Sequence, residues 1–289
     1  MTQFFQDMGH NPFLLTGLLA GLAASLACGV IGPYVITRRI VFLSGAIAHM
    51  AVGGVGASLW LATMYPDALG WFRPLYGAIV VSLAAAVLIG VVHQRVAERM
   101  DTLIGALWAV GMAIGLLLIK FTPGYQTELM SYLFGNIAFI AWGQVWMILA
   151  LDAIILAVVL VFHKRLLAIC LDPQQAEIQG IDVLRTNILL LCLVALTVIA
   201  LTQIVGLILV IALLSLPAAT AAHHVGRVPA MMFLGVLISA LVTTLPRIAV
   251  YGTAVAAEPA IVLAAGFVYL VSVVIRQIRH RASRSAFPG

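Results

Sequence analysis

Apolar runs of about 20 residues recur along this chain, each long enough to cross a hydrocarbon layer about 30 Å thick as an α-helix. They fall at 13–36, 42–64, 74–92, 103–120, 142–162, 187–202, 204–222, 229–246 and 258–276. No alternating strand pattern accompanies them, which argues against a β-barrel. The expected fold is therefore all-α, a polytopic membrane protein of about nine transmembrane helices. The sixth and seventh runs are short and share one tract, "NILLLCLVALTVIALTQIVGLILVIALLSLPAATA". Read as one kinked span, that tract gives eight helices in total. Composition points the same way. The chain is 64% hydrophobic and 9% charged, against about 45–50% and about 25% in ordinary soluble domains. A mean hydropathy of +1.16 needs lipid as the solvent, and the sequence reads as one transmembrane domain over 1–289.

The basic residues choose between eight and nine. Lys and Arg accumulate in cytoplasmic loops. Nine spans with the N-terminus outside put Arg38, Arg39, Arg95, Arg99, Lys164, Arg165, Arg185, Arg227, Arg276, Arg279, Arg281 and Arg284 on one side. Arg73, Lys120 and Arg247 fall on the other. The basic pI of about 9.4 is then positive-inside bias, and no nucleic-acid partner is implied. Cys28, Cys170 and Cys192 are isolated and form neither a disulfide framework nor a zinc knuckle. The start "MTQFFQDMGHNP" has no basic residue and so lacks the n-region of a cleaved signal.

The longest polar stretch is the cytoplasmic "HKRLLAICLDPQQAEIQGIDVLRT", 163–186. Within it, Asp172 and Pro173 stand as an N-cap and first helical residue, and Gly180 stands where a helix would stop. A short helix at 172–180 outside the membrane is expected, either as a plain connection or as a dock for a cytoplasmic partner.

Few side chains are equipped for chemistry. There is no G-x-x-x-x-G-K-[ST] run and hence no P-loop. A His-Glu-x-x-His or Gly-x-Ser-x-Gly motif is missing too, so nothing supports an enzyme. His49 sits in "RRIVFLSGAIAHMAVGG" and shares its helical face with Gly45, Ala46, Val52, Gly53 and Gly56. Two readings stand open. The small residues serve close helix packing, with the ring bonded to a carbonyl; or the neutral imidazole faces a path and binds a transition metal weakly enough to let it leave. Asp152, in "LALDAIIL", lies within a span, where a carboxylate is costly unless paired or wet. It is either a protonated helix-to-helix partner or part of a transport route. Gln144, Gln203 and Asn136 read as interhelical hydrogen-bonding groups. His223 and His224 suit a helix C-terminus.

Together, "RRIVFLSGAIAHMAVGG", "SYLFGNI" and "LDPQQAEIQGIDV…LTQIVGLILVIALLSLPAATA" resemble the zinc/manganese permease family of ATP-binding-cassette metal importers, and the likeness runs nearly end to end. The resemblance implies a fold similar to metal-chelate and cobalamin importer permeases. It also implies a homodimeric channel in the inner (plasma) membrane that is not itself an enzyme. A separate cytoplasmic ATPase would drive it and an extracytoplasmic metal-binding protein would feed it. The same resemblance implies no permanently bound cofactor and a divalent metal cargo, Zn²⁺ or Mn²⁺, with iron open. Residues 172–180, with Asp172, Pro173, Glu177 and Gly180, become the coupling helix that seats in the ATPase. Family members commonly read Gly-Asp-Ala-x-x-His in the second span, where the Asp and His are thought to line the metal path. Here the run is Ser44-Gly45-Ala46-Ile47-Ala48-His49. His49 carries over as a metal residue, Gly45 replaces the aspartate, and Asp152 is the candidate for the missing charge. The alternatives are a permease for a metal chelate or cobalamin, and an ion-coupled secondary carrier using His49 and Asp152 as a proton relay.

Overall fold

The structure, a computed structural model, describes residues 2–95, 100–123, 135, 140–253 and 255–285. Most of "SYLFGNI", Asn136, Glu128 and Arg99, and the side chains of Arg95 and Gln203, lie outside the described residues.

Among the described residues eleven helices follow in order: α1 Thr2–Met8, α2 Pro12–Thr37, α3 Val41–Met64, α4 Pro66–Leu69, α5 Pro74–Arg95, α6 Met100–Phe121, α7 Trp142–Leu171, α8 Pro173–Ile178, α9 Val183–His224, α10 Val228–Val250 and α11 Ala257–Ser285. Among the described residues they supply nine segments long and apolar enough to span a membrane. These match the nine expected spans within a few residues, with one exception. The fifth was expected to end at 162, but α7 continues to Leu171. The continuation "HKRLLAICL" is basic on one side, yet it buries Leu166, Ile169 and Cys170 on the other, so the helix outlasts the apolar run.

α9 decides the span count. An unbroken helix of 42 residues would be about 63 Å long, twice what a bilayer core needs. Gly206 interrupts it at φ 74°, ψ 170°, a conformation that a Cβ disfavours. Asn187, near its start, accepts a hydrogen bond from Arg38 at 3.2 Å. Ala218, near its end, lies against Gly32. In a straight helix those two residues would be about 46 Å apart. Both touch the last turns of α2, so the chain reverses at Gly206 and α9 is two spans. A Cβ on Gly135 would overlap the backbone of Val205 and Gly206, so Gly135 sits directly against this break.

Burial is uneven. The best apolar windows of α2 and α3 are each 72% buried, and those of α6 and α11 only 17%. α2, α3, α7 and α9 share one core through Ile31, Tyr34, Ile47, Ile148, Leu190 and Val210. A second cluster, Ala51, Val55, Leu59, Ala78 and Ile119, joins the later half of α3 to α5 and α6. Contacts at the span ends agree with the charge-derived topology. At the end expected to be cytoplasmic, Arg38 donates to the Ile169 carbonyl at 3.1 Å, and Tyr34 bonds His163 at 2.6 Å. On the other side the Tyr251 hydroxyl donates to Asp7 at 2.8 Å, a bond that raises the pKa of that hydroxyl.

Candidate metal path and coupling helix

α3 is held by glycine on two sides. Gly54 and Gly77 bring α3 and α5 into backbone contact, and a Cβ on either would overlap the carbonyl of the other. Gly53 and Gly56 face the carbonyls of Gly111 and Gly115 of α6, and a Cβ on Gly111 or Gly115 would press on Met50 or Val52 of α3. The expected close-packing face therefore exists, but it is not bare throughout. At the level of His49 the space belongs to Trp108 of α6. Its indole lies against the imidazole with centroids 4.6 Å apart and planes tilted 32°. A Cβ on Gly45 would stand 2.9 Å from Trp108 Cζ3 and 3.1 Å from Ile211 Cδ1. The absence of a side chain at 45 is what lets the indole lie there.

His49 is half-buried. Its Nδ1 is buried and has no hydrogen-bond partner among the described residues, so the ring is not bonded to a neighbouring carbonyl as simple packing would have it. A neutral imidazole with an uncommitted nitrogen is a serviceable ligand for a transition metal.

The structure does not bring Asp152 to His49. α7 packs mainly on α2 and α9, and its buried face carries Val145, Ile148, Asp152, Ile155 and Val159. Asp152 is 2% exposed and has no partner for either oxygen among the described residues. The carboxylate is thus buried at a different helix crossing. His223 and His224 close the second half of α9, and both reach the hydroxyl of Ser272 on α11 at 3.0 Å. Gln144 was expected to bond across helices; instead its side-chain oxygen accepts from the Ala141 amide at 3.0 Å and caps its own helix.

The segment 172–180 folds as its residues dictate. The Asp172 carboxylate accepts from the amides of Gln174 at 2.9 Å and Gln175 at 3.1 Å. Pro173 opens α8, and Gly180 follows its end at φ 79°. Ala176 is buried, while Glu177 and Ile178 are exposed, Ile178 at 83%. A cavity of about 570 Å³ beside it is lined by Phe162, Arg165, Gly180, Asp182 and Arg185. Asp182 caps α9 through the Arg185 amide at 2.9 Å and pairs with the Arg185 guanidinium at 3.1 Å. Trp108 was absent from the sequence-derived site. Its position three and seven residues before Gly111 and Gly115, on the same helical face, was the one available signal.

Comparison with known proteins gives a consistent picture. The model of the ABC 3 transport family matches residues 10–276. A probable metal transport system membrane protein of Chlamydia pneumoniae is 36% identical over 277 residues, 96% of this chain and 94% of the relative. A manganese transport system membrane protein of Listeria monocytogenes is 30% identical, covering 93% of this chain and 92% of its own. Among solved structures, PsaBC from Streptococcus pneumoniae in complex with Fab superposes with a TM-score of 0.82 at 29% identity, covering 94% of both chains.

Proposed function

This chain belongs to the ABC 3 transport family, and from that premise we propose that it carries a divalent transition metal inward along a path that passes His49. It is a multi-pass membrane protein and a transport subunit. In this reading residues 1–289 form a single permease domain that pairs with a second copy of itself. An extracytoplasmic binding protein delivers the ion, and a separate cytoplasmic ATPase supplies the work. The relatives named for metal and manganese transport support the cargo class. The observation that carries the reading is the uncommitted Nδ1 of His49, held on the α3 face that closes against α6. A single imidazole binds a cation weakly enough to release it, which conduction requires.

α8 is the proposed seat of the ATPase. It is short, capped at both ends and largely exposed, and Asp172, Pro173, Glu177 and Gly180 fix its shape and charge. Asp152 stands apart from His49 and is not assigned a place in the path.

His49→Gln tests this function. Glutamine keeps a hydrogen-bonding group of similar size but is a much poorer ligand for a transition metal. The variant is expected to assemble with its ATPase as before and to lose metal uptake. Uptake at the wild-type rate would reduce His49 to a packing residue.

A further inference from the structure

We propose that Trp108 sets the metal preference of the His49 path, favouring Zn²⁺ over Mn²⁺. It does so by covering the imidazole and filling the place beside Gly45 where a second ligand would stand. The proposal rests on the reading of His49 as a path residue. It adds a positioning residue that acts through His49 and does not itself bind the ion.

Three observations carry it. First, residues 108, 111 and 115 lie on one face of α6. At 111 and 115 that face is glycine, pressed against the α3 backbone. A bulky indole on such a crossing fits only where the facing helix gives way, and Gly45 is where it does: even a methyl group there would stand 2.9 Å from Cζ3 and 3.1 Å from Cη2 of Trp108. Gly45 and Trp108 thus act as one steric unit. Second, the indole lies over the His49 ring at 4.6 Å. The ring thus lies against an aromatic face, with Nδ1 buried and unbonded among the described residues. Third, no cluster of three or more His, Cys, Asp or Glu side chains that could hold a metal ion exists among the described residues.

The chemistry follows from the ligand. An imidazole beside an aromatic face is a borderline-soft, carboxylate-free environment. Zn²⁺ accepts it, while Mn²⁺ lies at the weak end of the affinity order for such donors and relies more on oxygen. The indole face attracts any cation modestly through its quadrupole and does not distinguish the two ions. The discrimination comes from what Trp108 keeps out.

The test uses the assembled transporter in proteoliposomes, with one binding protein throughout, and follows uptake of radiolabelled zinc and manganese in competition. Trp108→Ala is expected to raise the manganese-to-zinc uptake ratio about tenfold. Trp108→Phe, which keeps a ring over His49, is expected to hold the wild-type ratio. Gly45→Ala displaces the indole without altering it and should shift the ratio in the direction of Trp108→Ala. It also decides the matter if Trp108→Ala fails to assemble. A wild-type ratio in both Gly45→Ala and Trp108→Ala overturns the role of Trp108. His49→Gln in the same assay separates the two ideas. If that variant loses uptake of both ions while the Trp108 ratio is unchanged, the path stands and the selectivity proposal falls. If it transports normally, both fall.

Discussion

The α3 crossing and the α8 segment hold their functional residues by opposite means. Around His49, order comes from contact. Glycine backbones touch, an indole lies against the ring, and no polar partner among the described residues fixes the imidazole Nδ1. At α8, order comes from hydrogen bonds in water: the Asp172 carboxylate takes two amides, and Gly180 turns the chain at φ 79°. The first arrangement tolerates almost no added volume and leaves the buried ring nitrogen unbonded among the described residues. The second tolerates substitution at most exposed positions and leaves Gln174, Gln175, Glu177 and Ile178 on the surface. In the proposed function the first would serve as a ligand held weakly and the second as a handle held firmly.

The comparison breaks first, and hardest, at Gly54. A side chain there meets the Gly77 carbonyl, and neither helix can move without opening the small cluster of Ala51, Val55, Leu59, Ala78 and Ile119. Gly54→Leu is expected to destabilise the protein by about 3 kcal/mol or more, read as loss of monodisperse protein after detergent extraction. Wild-type yield and thermal stability would show that the α3–α5 contact is looser than the structure has it.

A middle-sized effect is expected at α8. Asp172→Ala removes a cap worth about 1 kcal/mol, and Glu177→Lys reverses an exposed charge. The double variant should reach the membrane in normal amount yet retain less ATPase on co-purification, with slower metal uptake. Unchanged retention and uptake would remove this segment from consideration as the dock.

The topology shared by both regions is checked by thiol labelling. A cysteine beside Asp67 should react with an impermeant reagent from outside, and one at Gln174 should not, because twelve basic residues share the face of Gln174 and three the opposite one. External labelling at Gln174 would overturn the nine-span arrangement. The smallest effect belongs to Gly180→Ala. Its positive φ costs a side chain about 1 kcal/mol, but nothing lies within 4 Å of the position. A slight loss of thermal stability with uptake intact is expected; a large loss would mean that the turn is constrained by more than its backbone.

Some elements were legible because their causes are local. The Asp172-Pro173 start and the Gly180 stop depend on neighbouring residues and were read where they stand. Nine spans followed from apolar length and from where the charges fell, and reversal at Gly206 agrees with them. The extension of α7 past residue 162 was missed because "HKR" interrupts the apolar run, although Leu166 and Ile169 keep one face of that helix buried.

The candidate site divides along the same line. Sequence alone picked out His49, an ionisable ring among small residues inside an apolar helix, and it showed glycine at 45. It could not say what fills the room that Gly45 leaves, because Trp108 lies 63 positions further on and no periodicity connects two helices. Nor could it say where Asp152 points; that depends on α7 packing against α2, a choice made by the shape of the whole bundle. Length, charge bias and capping are properties of short stretches of chain and are fixed before folding. Which side chains meet across a crossing is fixed only by how the helices share space, and that shared space is what Trp108 and His49 occupy together.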